Sequence, residues 1–408
     1  MNPLGHTRGW DATVHLPDGA LPDWVQGLVA IAVVLLALGP LAMVRMRGRW
    51  KASSVMLGIK ATHLLPAVIQ VCIFTYWGLY WRGLKTYIAA IAVEVLFGYV
   101  LDGMLSLIVR RKWVIAAGPL PIVLSTNLFV LFLPGEAYLT LLAITIAMLS
   151  KAFIRTAGKD GRGGRHIMNP SALGISVMGI ATLAWPALGY GDSAYEFSVP
   201  PNMAEVILLL ALVVQTRIPI VLVSAAAVFG LHVWAHFSGE LMFSPYWAPV
   251  TLVLVLLITD PATIPRTAWG RLLYGFAVGI GIQIAGLALK HIFGMDNYAK
   301  VVGIPLANAL VPLFERFATK LPRFAPIEAR YNLLHMALWM AWMTSQLLGT
   351  AKPPGFESMH GAHVVHRINH TPFVKFTKDG ALTCKDNPMF CRGFSFHLEA
   401  KAWLDKAK

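Results

Sequence analysis

The run from Trp24 to Val44 holds 21 residues without one charged side chain. An α-helix of about 20 apolar residues crosses the roughly 30 Å of bilayer hydrocarbon, and similar runs recur along the chain. Composition agrees. Over 408 residues the chain is 57% hydrophobic and only 13% charged, with mean hydropathy +0.62, whereas soluble domains carry about a quarter charged residues. A soluble globular fold is excluded, and the reading is an all-α polytopic membrane helical bundle that takes the lipid bilayer as its solvent.

Hydropathy set against Gly, Pro and charge punctuation predicts about twelve transmembrane helices, near 24–44, 62–81, 86–109, 113–133, 136–152, 167–188, 203–216, 218–237, 247–259, 272–293, 300–314 and 331–349. The stretches 203–216 and 247–259 are short enough to be tilted, re-entrant or broken helices, tolerated where protein covers their backbone.

The net charge of +14 would suggest nucleic acid in a soluble protein. Here its distribution is topological, and no nucleic-acid partner is expected. With the N-terminus outside, twenty of the 34 basic residues fall on inner connections and five on outer ones, the other nine lying in the tail after residue 350. The positive-inside rule supports that orientation. An even helix count puts the C-terminus outside as well. The first 23 residues set Arg8 against Asp11, Asp18 and Asp23, so they lack the basic n-region of a cleavable signal, and the first helix is expected to stay.

Three segments place polar residues where helices begin or break. Gly161-Arg-Gly-Gly-Arg165-His166-Ile-Met-Asn169-Pro170-Ser-Ala172 is a glycine-rich basic loop running into a helix start. Pro170 suits the first turn, Asn169 the N-cap, and the first-turn amides with Arg165 suit an anionic group such as phosphate. A charged inner loop with a capped helix explains the same residues. Thr259-Asp260-Pro261 precedes Arg266 and Gly270-Arg271-Leu-Leu-Tyr274-Gly275. Asp260 can cap or break a helix there, or pair with Arg266. Asn308-Ala-Leu-Val-Pro312-Leu313 lies in a Pro-interrupted helix, where a buried Asn either joins helices or binds a ligand.

In this order the three segments resemble the NqrB/RnfD family, large membrane subunits of sodium-pumping quinone reductases and of Rnf ferredoxin:NAD complexes. His166-Ile-Met-Asn169-Pro170-Ser171-Ala172 is similar to the family's loop before Asn-Pro-Ala-Ala, Thr259-Asp260-Pro261 to its Thr-Asp-Pro, and Asn308 to Leu313 to its late Asn-Ala-Leu-x-Pro-Leu. The resemblance covers roughly residues 60–316. It divides the chain into an N-terminal segment with an extra helix (1–59), a ten-helix NqrB/RnfD-like core (60–316), a connector with an extra helix (317–349) and an extramembrane tail (350–408). So extended a form resembles the UnbU-like members.

The resemblance implies a bacterial inner (cytoplasmic) membrane, a multi-subunit electron-transfer complex with other membrane or periplasmic redox subunits, and a flavin or quinone. It assigns cofactor binding to Arg165, His166, Asn169, Pro170, Thr259, Asp260, Arg266 and Asn308. Family members that attach flavin mononucleotide covalently use a Thr in a Ser-Gly-Ala-Thr-like motif, in RnfD in the outer loop after the Asn-Pro helix. Residues 189–202 contain no Thr. The expectation is therefore a noncovalent flavin, FMN or riboflavin, or a core that holds no cofactor.

Glu94 and Asp102 lie eight residues apart in one apolar helix, about 80° around its axis, and are the candidates for a catalytic proton or cation path. An interhelical hydrogen bond to a neighbouring Thr or Asn, with Glu94 protonated, is the alternative. His232 and His236, one turn apart, read as an interfacial pair.

The tail gathers His360, His363, His366, His370, Cys384, Cys391 and His397, imidazole and thiolate ligands suited to a transition metal. A Cys384–Cys391 disulfide closing a small loop is the competing reading. No Walker motif, zincin His-Glu-x-x-His or Gly-x-Ser-x-Gly occurs. Three functions stay open on sequence alone: the redox subunit, an ion or small-solute transporter, and a membrane scaffold that has lost redox function.

Overall fold

The structure is a computed structural model and describes residues 22–47, 56–58, 61–80, 87–130, 137–156, 164–185, 205–216, 218–238, 248–293 and 298–350. The chain runs through α1 (Asp23–Met46), β1 (Met56–Gly58), α2 (Ala61–Tyr80), α3 (Ile88–Arg110), β2 (Val114–Ala116), α4 (Pro119–Val130) and α5 (Ala137–Phe153). It continues through α6 (Pro170–Ala184), α7 (Glu205–Gln215), α8 (Val221–Ser238), α9 (Ala248–Leu252), α10 (Ala268–Phe293), α11 (Ala299–Ala309), α12 (Val311–Ala318) and α13 (Asn332–Thr350). The strands form one small parallel pair, with Leu57 opposite Ile115.

This is an all-α membrane protein. The expected count of about twelve transmembrane helices, however, is not what the described residues provide. Four helices are long and apolar enough to cross a bilayer: Asp23–Met46, Ile88–Arg110, Val221–Ser238 and Ala268–Phe293. A fifth exists if α11 and α12, bent by 59° at their junction, count as one broken span. Shorter apolar helices account for much of the rest. Hydropathy averages over such breaks, although the short stretch 247–259 and the Pro-interrupted helix near Pro312 marked two of them in the sequence. Pro312 in the first turn of α12 withholds one backbone donor, and the segment Val253–Leu257 winds as a π-turn directly after α9.

One apolar core joins α2 and α4 to α11 with α13, through Trp77, Phe129, Ile175, Val228, Leu254, Tyr274 and Tyr298. A second cluster packs Phe97, Leu101 and Leu105 of α3 on Ile144 and Met148 of α5, with Ile31 and Val34 of α1 outside them. α1 is peripheral. Its outer face leaves Leu36 77% exposed, which in this chain is a lipid-facing surface. Two acid pairs fasten α3: Asn127 Nδ2 donates to Glu94 Oε2 at 2.5 Å, and Lys151 Nζ meets Asp102 Oδ1 at 2.9 Å. Glu94 thus takes the interhelical Asn bond, and the two carboxylates engage different helices, α4 and α5.

α8 and α10 approach most closely. A Cβ at Gly279 would enter the Ala227 carbonyl, one at Gly275 the Val223 carbonyl, and one at Gly230 the Phe276 carbonyl. Without hydrophobic drive between helices in lipid, such small-residue contact is what brings backbones together. Gly281, on the same helix, would meet nothing within 4 Å. We expect Gly279→Val to destabilise the protein by about 1–3 kcal/mol through overpacking, while Gly281→Val changes little. Thermal unfolding of the two detergent-solubilised variants side by side checks this.

Candidate functional site

The site begins with a missing donor. The carbonyl of Leu257, at the end of the π-turn, would look four residues ahead for a helical partner and finds Pro261, which has no N–H. An unpaired backbone carbonyl at membrane depth is costly. Asn169 Nδ2 donates to it at 2.9 Å.

The same Asn169 caps α6. Its Oδ1 accepts from the Ala172 amide at 3.1 Å, with Pro170 at the first helical position, as the Asn-Pro dipeptide predicts. Its own backbone N–H donates to Asn308 Oδ1 at 2.9 Å, and Asn308 Nδ2 donates to the Tyr274 hydroxyl at 2.8 Å. Asn169 and Asn308 are buried, 6% and 1% exposed. Residues separated by 139 positions thereby share one polar knot among α6, the π-turn, α10 and α11.

Beside it, the chain leaving α5 pairs with the chain entering α6. Thr156 N donates to Arg165 O at 2.8 Å and Ile167 N to Ile154 O at 3.1 Å. Gly164 is required there because a Cβ would strike the Thr156 backbone. This short ladder carries His166 to Asp260, with Nε2 and Oδ2 3.0 Å apart, and brings the Arg165 guanidinium to donate to the Pro261 carbonyl.

Asp260 also accepts from the Ala262 amide at 3.0 Å and the Thr263 hydroxyl at 3.4 Å. Burial raises the Asp260 carboxyl, but the His166 ring, followed by Ala262 and Thr263, outweighs it and holds the group below its ordinary value. The partner of Asp260 is His166, and the expected pairing with Arg266 is not formed. Thr259 turns back, its hydroxyl donating to the Val255 carbonyl.

The Arg266 backbone amide instead donates to Glu315. The same carboxylate accepts from the Thr267 amide at 3.3 Å and the Thr267 hydroxyl at 2.8 Å. Thr267 caps α10 through Gly270 N at 3.1 Å. A capping box wants Glu or Gln at that third position, and this helix has Gly270, so Glu315 supplies the acid from α12. Sequence reading assigned no role to Glu315, Tyr274 or Asn127; a Thr cap lacking its acid was the signal that a remote one must serve.

All eight predicted cofactor residues therefore gather around two helix starts, α6 and α10. Glu94 and Asp102 do not join them. His232 lies 6.0 Å from Trp342 and His236 5.3 Å from Phe237, ring to ring. The seven tail residues from His360 to His397 lie outside the described residues.

Residues 202–322 match the NQR2, RnfD, RnfE family. No curated protein matches the chain. The matched span contains Thr259, Asp260, Arg266 and Asn308, while Arg165, His166, Asn169 and Pro170 precede it and reach it only through the fold.

Two outcomes are expected. Asn308→Ala strips partners from the buried Asn169 amide and the Tyr274 hydroxyl and costs about 1–3 kcal/mol, measurable by thermal unfolding in detergent. Because the folded Asp260 value is depressed, its pairing stabilises fully above the ordinary carboxylate range and fades as pH drops below about 4 through the folded value. Asp260→Asn should melt lower than the parent at pH 7 and lose less of its melting temperature between about pH 4 and 3.

Proposed function

We propose, from the match of residues 202–322 to the NQR2, RnfD, RnfE family, that the chain is the membrane electron-transfer subunit of an Nqr/Rnf-type multi-subunit complex. Its redox group is a noncovalent flavin or a quinone held near the α6 and α10 starts. The observation that carries this reading is the convergence of three polar segments, distant in sequence, on one knot of buried amides flanked by cations.

The donor set fits an anionic or carbonyl-bearing headgroup at its edge. Arg266 is exposed beside the Asp260 loop, and Arg165 reaches the same loop. Asn169 and Asn308 are committed to the fold, so their part is to position the loops. A bound flavin or quinone would supply the electron-carrying chemistry. The chain's own contributions are to bind the polar end of that group, to keep water from it with apolar helices, and to hold a proton between His166 Nε2 and Asp260 Oδ2. The transporter reading gains no support from Glu94 and Asp102, each of which has a protein partner.

The visible absorption spectrum of gently purified protein, recorded before and after acid precipitation, tests the proposal. Flavin bands that pass to the supernatant are the expected result, reduced by Arg266→Gln in parallel preparations. A colourless protein whose extract also lacks quinone would overturn it, and solute flux in liposomes would then take precedence.

A further inference from the structure

α12 turns away from α11 by 59° at Leu310, and along α12 and the non-helical segment after Ala318 exposed apolar and basic side chains lie close together. Leu310, Leu313, Phe317, Leu321 and Phe324 are exposed by 47, 43, 52, 41 and 50%. Arg316 on α12, Lys320 in the turn after it and Arg323 in the extended stretch that follows are also exposed, each next in sequence to one of these apolar residues. The remaining face is anchored: Ala318 is buried, the Phe314 ring meets Tyr274 at 6.2 Å, and Glu315 holds the start of α10.

That anchor fixes the level of α12 in the bilayer. α10 is a membrane-length helix of 26 residues beginning at Ala268, so a segment tied to Arg266 and Thr267 lies where the hydrocarbon ends. Trp269, in the first turn of α10, donates its indole N–H to the Pro322 carbonyl at 2.8 Å and sets its ring 6.1 Å from Phe324. Indole rings favour that headgroup level. Exposed apolar side chains bordered by Arg and Lys, on the short helix α12 and the segment after it, suit a position in the interface plane with the cations on anionic headgroups.

We propose that residues 310–324 form an interfacial binding surface for anionic phospholipid, with Leu313 and Phe317 at the acyl boundary and Arg316, Lys320 and Arg323 on the lipid phosphates. Through Glu315 this surface shares a turn of helix with the cap of α10, so headgroup binding occurs beside the Asp260 loop.

The test uses the full chain in a cysteine-free background whose melting curve matches the parent, with a fluorophore on Leu313→Cys, reconstituted in vesicles. Spin-labelled phosphatidylglycerol and spin-labelled phosphatidylcholine are compared as quenchers. Each basic side chain at an anionic surface contributes about fivefold, so phosphatidylglycerol should quench at least fivefold more effectively. The ratio should fall to about one in Arg316→Gln/Lys320→Gln/Arg323→Gln, and 0.5 M salt should produce the same loss in the unsubstituted chain. Equal quenching by the two lipids in the unsubstituted chain would overturn the proposal. So would a label that neither lipid reaches, the result expected of a face covered by a protein partner or a second copy.

Discussion

The Leu257 carbonyl organises much of this molecule. In water a carbonyl deprived of its helical donor by a proline would bind solvent; within a bilayer it must find a donor from the protein. Asn169 provides one, and the amide that does so also caps α6 and is itself held by Asn308. One backbone requirement at Pro261 thus draws together the ends of α6, α10 and α11. Here the Asn169 side-chain amide stands in for a broken helical bond.

The same economy governs the charged residues. Glu94 and Asp102 lie within the membrane-length helix α3, and each meets a polar side chain of an adjacent helix. Glu315 completes a cap that α10 lacks locally. Asp260 differs in standing on a loop, hydrogen-bonded to the His166 ring and to the Ala262 amide. It is partly exposed, and Arg165 reaches the same loop.

The helix starts were legible residue by residue. Asn169-Pro170 announces a capped first turn, and the structure forms it; Thr259-Asp260-Pro261 announces a break, and α9 ends in a π-turn just before it. The number of full spans was less legible, since hydropathy averages over the bends and short helices that divide an apolar stretch. Glu315 was hidden because its role belongs to a helix start 48 residues away. Asp260 looked like the natural partner of Arg266 from spacing, yet the ladder between the α5 exit and the α6 entrance delivers His166 first.

Composition and long uncharged runs by themselves determined that this chain is a helical membrane protein, because burying so much apolar surface without charge leaves the bilayer as its solvent. Local sequence likewise determined where α6 begins, through Asn169-Pro170, since capping and proline act over three or four residues. By contrast α10, read from about 272, begins at Ala268 on a cap that Glu315 completes from a distance. Only the tertiary structure decided which polar groups meet. Hydrogen-bond partners in lipid are chosen by proximity across helices, and the Asn169–Asn308 and His166–Asp260 pairs span 139 and 94 positions that no local pattern connects.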